Sequence, residues 1–237
     1  MVDLTIVMPA RNEAQGLQDV VRGVFLGTAH MSREIVIVND YSTDSTASVG
    51  IALEREAQGA VRFISNYKKP GIGSALTVGV VVARGEYTCF VMSDGSDSPE
   101  SICAMFDTAS SYGCDAVFGD RWRSGAKVSG YPALKRALNR AGNRAAGVLM
   151  NSSYTDWTNI FKLYRTSLLR RMNLSSDGFE IGLEMSLKAV NLEAYYRVVP
   201  TPWSERKSGS SKMRLLKNAW RCLGVLWRET MRSTSSA

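Results

Sequence analysis

"FVMSDGSDSPE", residues 90–100, is the stretch on which the fold turns. An apolar run that begins at Tyr87 stops at Asp94. A second carboxylate follows at Asp97, and the small residues Gly95, Ser96 and Ser98 surround the pair. Pro99 and Glu100 come next, and both suit the first turn of a helix. The stretch reads as a buried strand whose far end is a loop bearing two carboxylates, followed at once by a helix.

The same order repeats on both sides of it. "LTIVMPA" reads as a strand and residues 12–25 as a helix. "EIVIVND" is a strand, and "STDSTASVGIALEREA" opens with cap residues and continues as a helix. "VRFIS" is a strand, "GIGSALTVGVVVA" a helix, "YTCFVM" a strand, "SPESICAMFDTASS" a helix and "CDAVFGD" a strand. Nearly continuous apolar strands separated by helices imply an α/β fold with a mostly parallel sheet covered on both faces. In such sheets ligands sit beyond the carboxyl ends of the strands. Four of those ends carry polar loops: "PARNE", "NDYSTD", "SDGSD" and "GDRW". Their side chains converge on one edge.

The 237 residues suffice for a substantial core, and the net charge of +7 is unevenly spread. Residues 1–120 hold 8 Lys/Arg against 15 Asp/Glu, whereas residues 121–237 hold 21 against 7. A basic half faces anions such as phosphates or a membrane surface, or is a solvated surface. No nucleic-acid-binding module accompanies it, so nucleic acid is not an expected partner. Four cysteines without C-x-x-C spacing and a single His argue against zinc and for reduced thiols. The N-terminus lacks the pattern of a secretory signal, and no apolar run is long enough to span a bilayer, so a cytoplasmic location is expected.

A dinucleotide fold would place G-x-G-x-x-G after the first strand, but that turn is "PARNEA". No P-loop motif is present either. Instead, "TIVMPARNEA", "EIVIVNDYSTDST", "GIGSALTVGVVVARGEY", "VMSDGSDSPE", "GDRW", "DWTNIFKLYRTSLL", "GFEIGLEM" and "ERKSGSSK" occur in an order that resembles family 2 glycosyltransferases of the GT-A fold. The subgroup resembled is the dolichyl- and polyprenyl-phosphate mannose synthases. The likeness runs to about Lys212. It implies a GT-A domain over residues 1–211, with a nucleotide-sugar half at 1–120 and an acceptor half at 121–211. Residues 212–237 would form a basic amphipathic helix and tail.

The resemblance also implies a chemistry. A nucleotide-sugar donor loses its sugar and leaves a nucleoside diphosphate, and Mg²⁺ or Mn²⁺ bridging the phosphates stabilises that leaving group. Such ions need only one or two protein carboxylates, because phosphates and water fill the remaining positions. Aligned to the family's acidic turn, Asp94 is the metal ligand, Ser96 can add an oxygen, and the first acidic position is Met92. Asp97 either compensates or serves as a turn or N-cap residue. Pro9, Arg11 and Glu13 resemble the nucleotide-contacting turn, while Asn39 and Asp40 match an acidic pair that holds the base or ribose. Arg121 resembles a donor-phosphate contact. Arg206 and Lys212 resemble a late loop that closes on the pyrophosphate.

Acceptor chemistry divides two ways. A hydroxyl acceptor needs a general base, for which Asp156 and Glu184 are the candidates. A lipid phosphate is already anionic near neutral pH and is its own nucleophile. In "ALKRALNRAGNRAAGVLM", Arg136, Arg140 and Arg144 fall on one helical row, with Leu134, Leu138, Ala141, Ala145 and Val148 opposite. The resemblance places an acceptor-phosphate contact at Lys135 or Arg136 and Asn139. Near the C-terminus, Arg214, Arg221, Arg228 and Arg232 share one side of a helix, and Leu216, Trp220, Leu223 and Trp227 the other. That apolar side either lies in a membrane interface or packs onto the domain. A peripheral membrane contact or a membrane partner protein is implied.

Overall fold

The structure is a computed structural model and describes residues 2–204 and 215–234. Nine strands and eight helices lie along those residues, alternating strictly as far as β5. The strands are β1 (Leu4–Ala10), β2 (Arg33–Asn39), β3 (Val61–Ser65), β4 (Tyr87–Phe90), β5 (Ala116–Asp120), β6 (Val128–Ser129), β7 (Lys162–Arg165), β8 (Tyr196–Pro200) and β9 (Trp203–Ser204). The helices are α1 (Leu17–Gly27), α2 (Thr46–Glu56), α3 (Ile72–Val82), α4 (Pro99–Tyr112), α5 (Ala133–Leu149), α6 (Thr166–Arg171), α7 (Ile181–Asn191) and α8 (Leu215–Thr234).

Seven strands form one sheet in the order β3-β2-β1-β4-β7-β5-β8, and β6 pairs with β9 in a small separate ribbon. β1 runs parallel to β2 and β4, β2 to β3, and β5 to β8. Only β7 is antiparallel to its neighbours. All seven residues of β1 are buried, as an apolar strand covered on both faces must be. One apolar cluster, built around Val7, Phe90, Phe118, Tyr164 and Trp157, lies under α3 and α7. A second, around Ile6, Met8, Ile37 and Ile102, lies under α1 and α4.

Helix α1 begins later than its sequence pattern predicts. Asn12 has φ 52°, and the loop at 12–14 bonds to the loop at 42–46 instead of starting a helix. The Asn12 N–H donates to Ser42 Oγ and the Glu13 N–H to Thr46 Oγ1, while Asn12 Oδ1 accepts from the Thr43 N–H. These cross-links give the β1 and β2 loops a fixed shape next to one another. The strand expected to reach Met92 ends at Phe90, the last of its residues in register with β1.

Among the described residues no helix is long and apolar enough to cross a membrane. Two helices nevertheless present apolar faces to solvent. On α5 the buried residues are Asn143, Ala146 and Gly147, while Leu134, Leu138 and Val148 are exposed. On α8, Trp220 is 75% exposed and Trp227 69%, with Leu223 and Met231 beside them. The body of the domain therefore does not cover the Trp face of α8.

Candidate functional site

A cavity of about 360 Å³ opens at the carboxyl ends of β1, β2 and β4. Pro9, Arg11, Glu13, Asp40 and Asp94 line it, five residues drawn from three separate loops of the sequence. Met92 lines it as well, at the position where an acid was missing. Asn39, Ser96 and Arg121 do not. Arg206 and Lys212 lie outside the described residues.

Asp40 is buried and makes the floor rigid. Its Oδ1 accepts from Asn66 Nδ2 and from the Gly71 N–H, both at 2.9 Å. Arg11 reaches its Oδ2 at 3.6 Å. Asn39 is directed elsewhere, accepting from the Ser42 N–H. Gly71 has φ 151°, and a Cβ there would lie 2.1 Å from the carbonyl oxygen of Asp177. Only glycine lets the β3–α3 turn meet the 176–178 loop so closely. That contact carries Asp177 to the rim of the cavity, where Lys69 bonds it at 2.9 Å.

The turn at 92–98 divides its polar groups between shape and exposure. Asp94 Oδ1 accepts from the Ser96 N–H at 3.1 Å, which fixes the carboxylate at the cavity wall. Ser93 Oγ donates to the Pro9 carbonyl and ties this turn to the β1 loop. Asp97 is buried, and its Oδ2 accepts from the Met92 N–H at 2.9 Å. Burial pushes its carboxyl up to about 7, and the charge of Asp94 adds to the rise against that hydrogen bond. Asp97 thus braces the strand end and lines no part of the cavity. The N-cap of α4 is Ser98, whose Oγ accepts from the Ser101 N–H.

Arg121 makes a two-pronged contact with Asp156: Nε to Oδ2 at 2.8 Å and Nη2 to Oδ1 at 2.7 Å, with its own N–H donating to Oδ2 at 3.0 Å. Asp156 is wholly buried. Burial alone would lower the guanidinium's pKa, but the Asp156 carboxylate outweighs it and raises the value. Glu184, the other candidate base, is also fully buried. It accepts from the N–H groups of Ser175 and Ser176 and pairs with Lys188 at 2.7 Å. Burial would raise its carboxyl; those bonds prevail and hold it at about 2.

A second, larger cavity of about 710 Å³ lies along α5. Arg140, Arg144, Ala141, Val148 and Trp122 line it. Arg136 and Lys135 do not; Lys135 Nζ sits 5.4 Å from the Tyr131 ring instead. Asn139 faces inward, accepting from Trp122 Nε1 and Asn143 Nδ2 and donating to Thr158 Oγ1. Of the row of arginines on α5, the later two therefore reach the cavity. Trp122 packs edge-on to Tyr131, which in turn meets Trp203 at 4.9 Å. These aromatic rings thus join the "GDRW" turn to the β6–β9 ribbon.

Several site residues carried no recognisable signal. Asp177, Lys217 and Arg221 line the first cavity, the last two from α8, whose spacing put Arg221 on the basic side of the helix without saying what that side meets. The available hints were "GIG", whose glycines serve a close approach, and the Asp-Gly turn at 177–178.

Comparison with known proteins bears on this geometry. Residues 5–173 match the model of Glycosyl transferase family 2. The chain belongs to that family. This family 2 glycosyltransferase is 27% identical over 214 residues to polyprenol monophosphomannose synthase of Mycolicibacterium smegmatis, covering 88% of this chain and 80% of the relative. It is likewise 27% identical over 216 residues to undecaprenyl-phosphate mannosyltransferase of Micrococcus luteus, covering 89% and 86%. Glucosyl-3-phosphoglycerate synthase from Mycobacterium tuberculosis, solved with Mn²⁺, UDP and phosphoglyceric acid, superposes with a TM-score of 0.72 at 14% identity, covering 97% of this chain and 78% of that one. The same enzyme has been solved with Mg²⁺ and UDP. The GT-A fold read from the sequence is the fold observed. Asp94 is the one carboxylate that the 92–98 turn gives to the cavity wall, and no cluster of three or more His, Cys, Asp or Glu suited to a metal exists among the described residues. One carboxylate fits an ion whose other ligands are phosphates and water.

Proposed function

We propose that this glycosyltransferase moves one sugar, mannose in the first instance, from a nucleotide-sugar donor to a polyprenyl phosphate, inverting the anomeric centre. The names of its two curated relatives support the sugar and the acceptor. The observation that carries the reading is the state of the two candidate bases. Asp156 is locked to Arg121 and Glu184 to Lys188, each wholly buried. A hydroxyl acceptor would find no base in either of them. A phosphate monoester needs none, because it arrives with its negative charge already formed.

In this mechanism Pro9, Arg11, Glu13 and Asp40 shape the nucleotide end of the first cavity, and Asn39 acts only by holding the 40–42 turn through the Ser42 N–H. Asp94 is the residue that would hold Mg²⁺ or Mn²⁺, which supplies charge neutralisation to the departing diphosphate. Ser96 acts through Asp94, by orienting its carboxylate with a backbone N–H. Arg121 is best read as a positioning residue that works through Asp156. Arg206 and Lys212 remain candidates for closing on the pyrophosphate. On the acceptor side Arg140 and Arg144 are better placed than Lys135, Arg136 and Asn139 to receive a phosphate, since they line the α5 cavity. The protein's work there is to align two anions in line with the bond that breaks.

The setting we infer is the cytoplasmic face of a membrane, reached peripherally or through a membrane partner protein. Exposed Trp and Leu side chains on α5 and α8, next to arginines, support a membrane surface. Four free cysteines support a reducing compartment. The test is a transfer assay with labelled nucleotide sugars, Mn²⁺ and vesicles containing polyprenyl phosphate, followed by organic extraction. Label should enter the lipid phase with the wild type and fall about 100-fold or more with Asp94→Asn. Label that stays aqueous with every donor would refute the reading.

A further inference from the structure

We propose that the first turn of α8 is part of the donor site, with Lys217 and Asn218 contacting the diphosphate of the nucleotide. This rests on the donor reading of the first cavity given above.

Three observations place the helix there. First, Lys217, Asn218 and Arg221 line the same cavity as Asp40 and Asp94. Second, Arg221 clamps the helix to the rim, bonding Asp177 Oδ1 and standing 3.5 Å from Glu180. Third, the helix has two opposed faces. At about 100° per residue, Lys217, Asn218, Arg221, Val225 and Glu229 fall on one side. Val225 and Glu229 are buried there, against exposed Trp220, Leu223 and Trp227 on the other side. The basic residues at the start of α8 thus turn toward the cavity, and the apolar ones turn away.

Charge makes the first turn useful. Four carboxylates line the cavity: Glu13, Asp40, Asp94 and Asp177. Three cations face them: Arg11, Lys217 and Arg221. Arg11 is 3.6 Å from Asp40, and Arg221 is bound to Asp177 and Glu180. Lys217 has no ion-pair partner among the described residues, so its ammonium is available to an anion. The Asn218 Nδ2 group is buried with no hydrogen-bond partner, a donor left for a ligand oxygen. A diphosphate entering this acidic cavity needs positive charge beyond one divalent ion, and Lys217 supplies it. Arg221 is a positioning residue, holding α8 through Asp177 and Glu180.

Titration calorimetry with UDP and GDP, each with Mn²⁺ and without lipid, tests this. Lys217→Ala should weaken the binding of whichever diphosphate the wild type takes by about tenfold. Lys217→Arg should recover most of it. Arg221→Ala should weaken it too, while Arg221→Lys should restore it in part. The paired change Trp220→Ser with Trp227→Ser should leave it unchanged. Co-sedimentation with phosphatidylglycerol vesicles separates a headgroup contact from a donor contact, and Lys217→Ala should sediment like the wild type. Normal diphosphate binding by Lys217→Ala, or a loss confined to vesicles, overturns the inference and leaves the proposed reaction standing. A wild type that binds neither diphosphate removes both.

Discussion

Arg121 and Asp156 face each other through two parallel hydrogen bonds of 2.8 and 2.7 Å, with the carboxylate wholly buried. The pair joins the "GDRW" turn at the end of β5 to the loop that precedes β7. Removing one partner leaves an uncompensated buried charge, which costs about 3–5 kcal/mol. Asp156→Asn should therefore lower the midpoint of thermal unfolding by about 10 °C, as followed by circular dichroism. An unchanged midpoint would mean that Arg121 finds water or another partner.

Glu184 titrates at about 2 in the fold, against an ordinary value of 4.5. A carboxyl held down in the native state adds stability that is fully present above about pH 4.5. That stability is lost as pH falls toward 2. Denaturant unfolding at a series of pH values should show Glu184→Gln costing most at neutral pH. The gap to the wild type should narrow below pH 4.5. A gap that stays constant with pH would contradict the assignment.

The exposed faces of α5 and α8 make a prediction about surfaces. Trp220 and Trp227 are 75% and 69% exposed, so replacing both with Ser should barely change the unfolding midpoint. Their apolar area should matter only when it leaves water for a bilayer. Vesicle affinity is expected to fall about tenfold or more in a flotation assay. Equal flotation of the variant and wild type would assign that face to something else.

The acceptor site proposed along α5 makes a prediction that tells acceptor from donor. Arg140→Ala combined with Arg144→Ala should raise KM for polyprenyl phosphate about tenfold or more, since each charge-assisted contact to phosphate is strong. KM for the nucleotide sugar should hold steady. Steady-state kinetics with each substrate varied in turn would expose a reversed pattern, which would place the acceptor elsewhere.

How much of this could be read in the chain differs by element. β1 and β3 match their sequence runs residue for residue; for β1 the reason is that a continuous apolar strand buried on both faces has little competition from other patterns. The start of α1 was misplaced. Asn12 and Glu13, read as its first turn, bond across to the 42–46 segment, a long-range choice that local cap signals do not encode. α2 begins at Thr46, behind the cap residues read from the sequence. β7 was not recognised as a strand. It is four residues long and carries Lys162, which packs in the core by donating to the Trp157 carbonyl and to Ser186 Oγ. Burial brings that lysine down to about 7, a setting no sequence pattern announces. In the cavity, the loops after β1, β2 and β4 were legible as strand ends. The residues contributed by Asp177 and α8 were not, because a helix's spacing says which residues share a face but not which neighbour that face meets.

The central claim is that the acceptor brings its own nucleophile. Supply purified protein with labelled nucleotide sugar and Mn²⁺, and offer it polyprenyl phosphate in one set of vesicles and the corresponding polyprenol in another. The account predicts sugar transfer to the phosphate and none to the alcohol. Transfer to polyprenol at a comparable rate would contradict it, since a base would then have to be at work in the site.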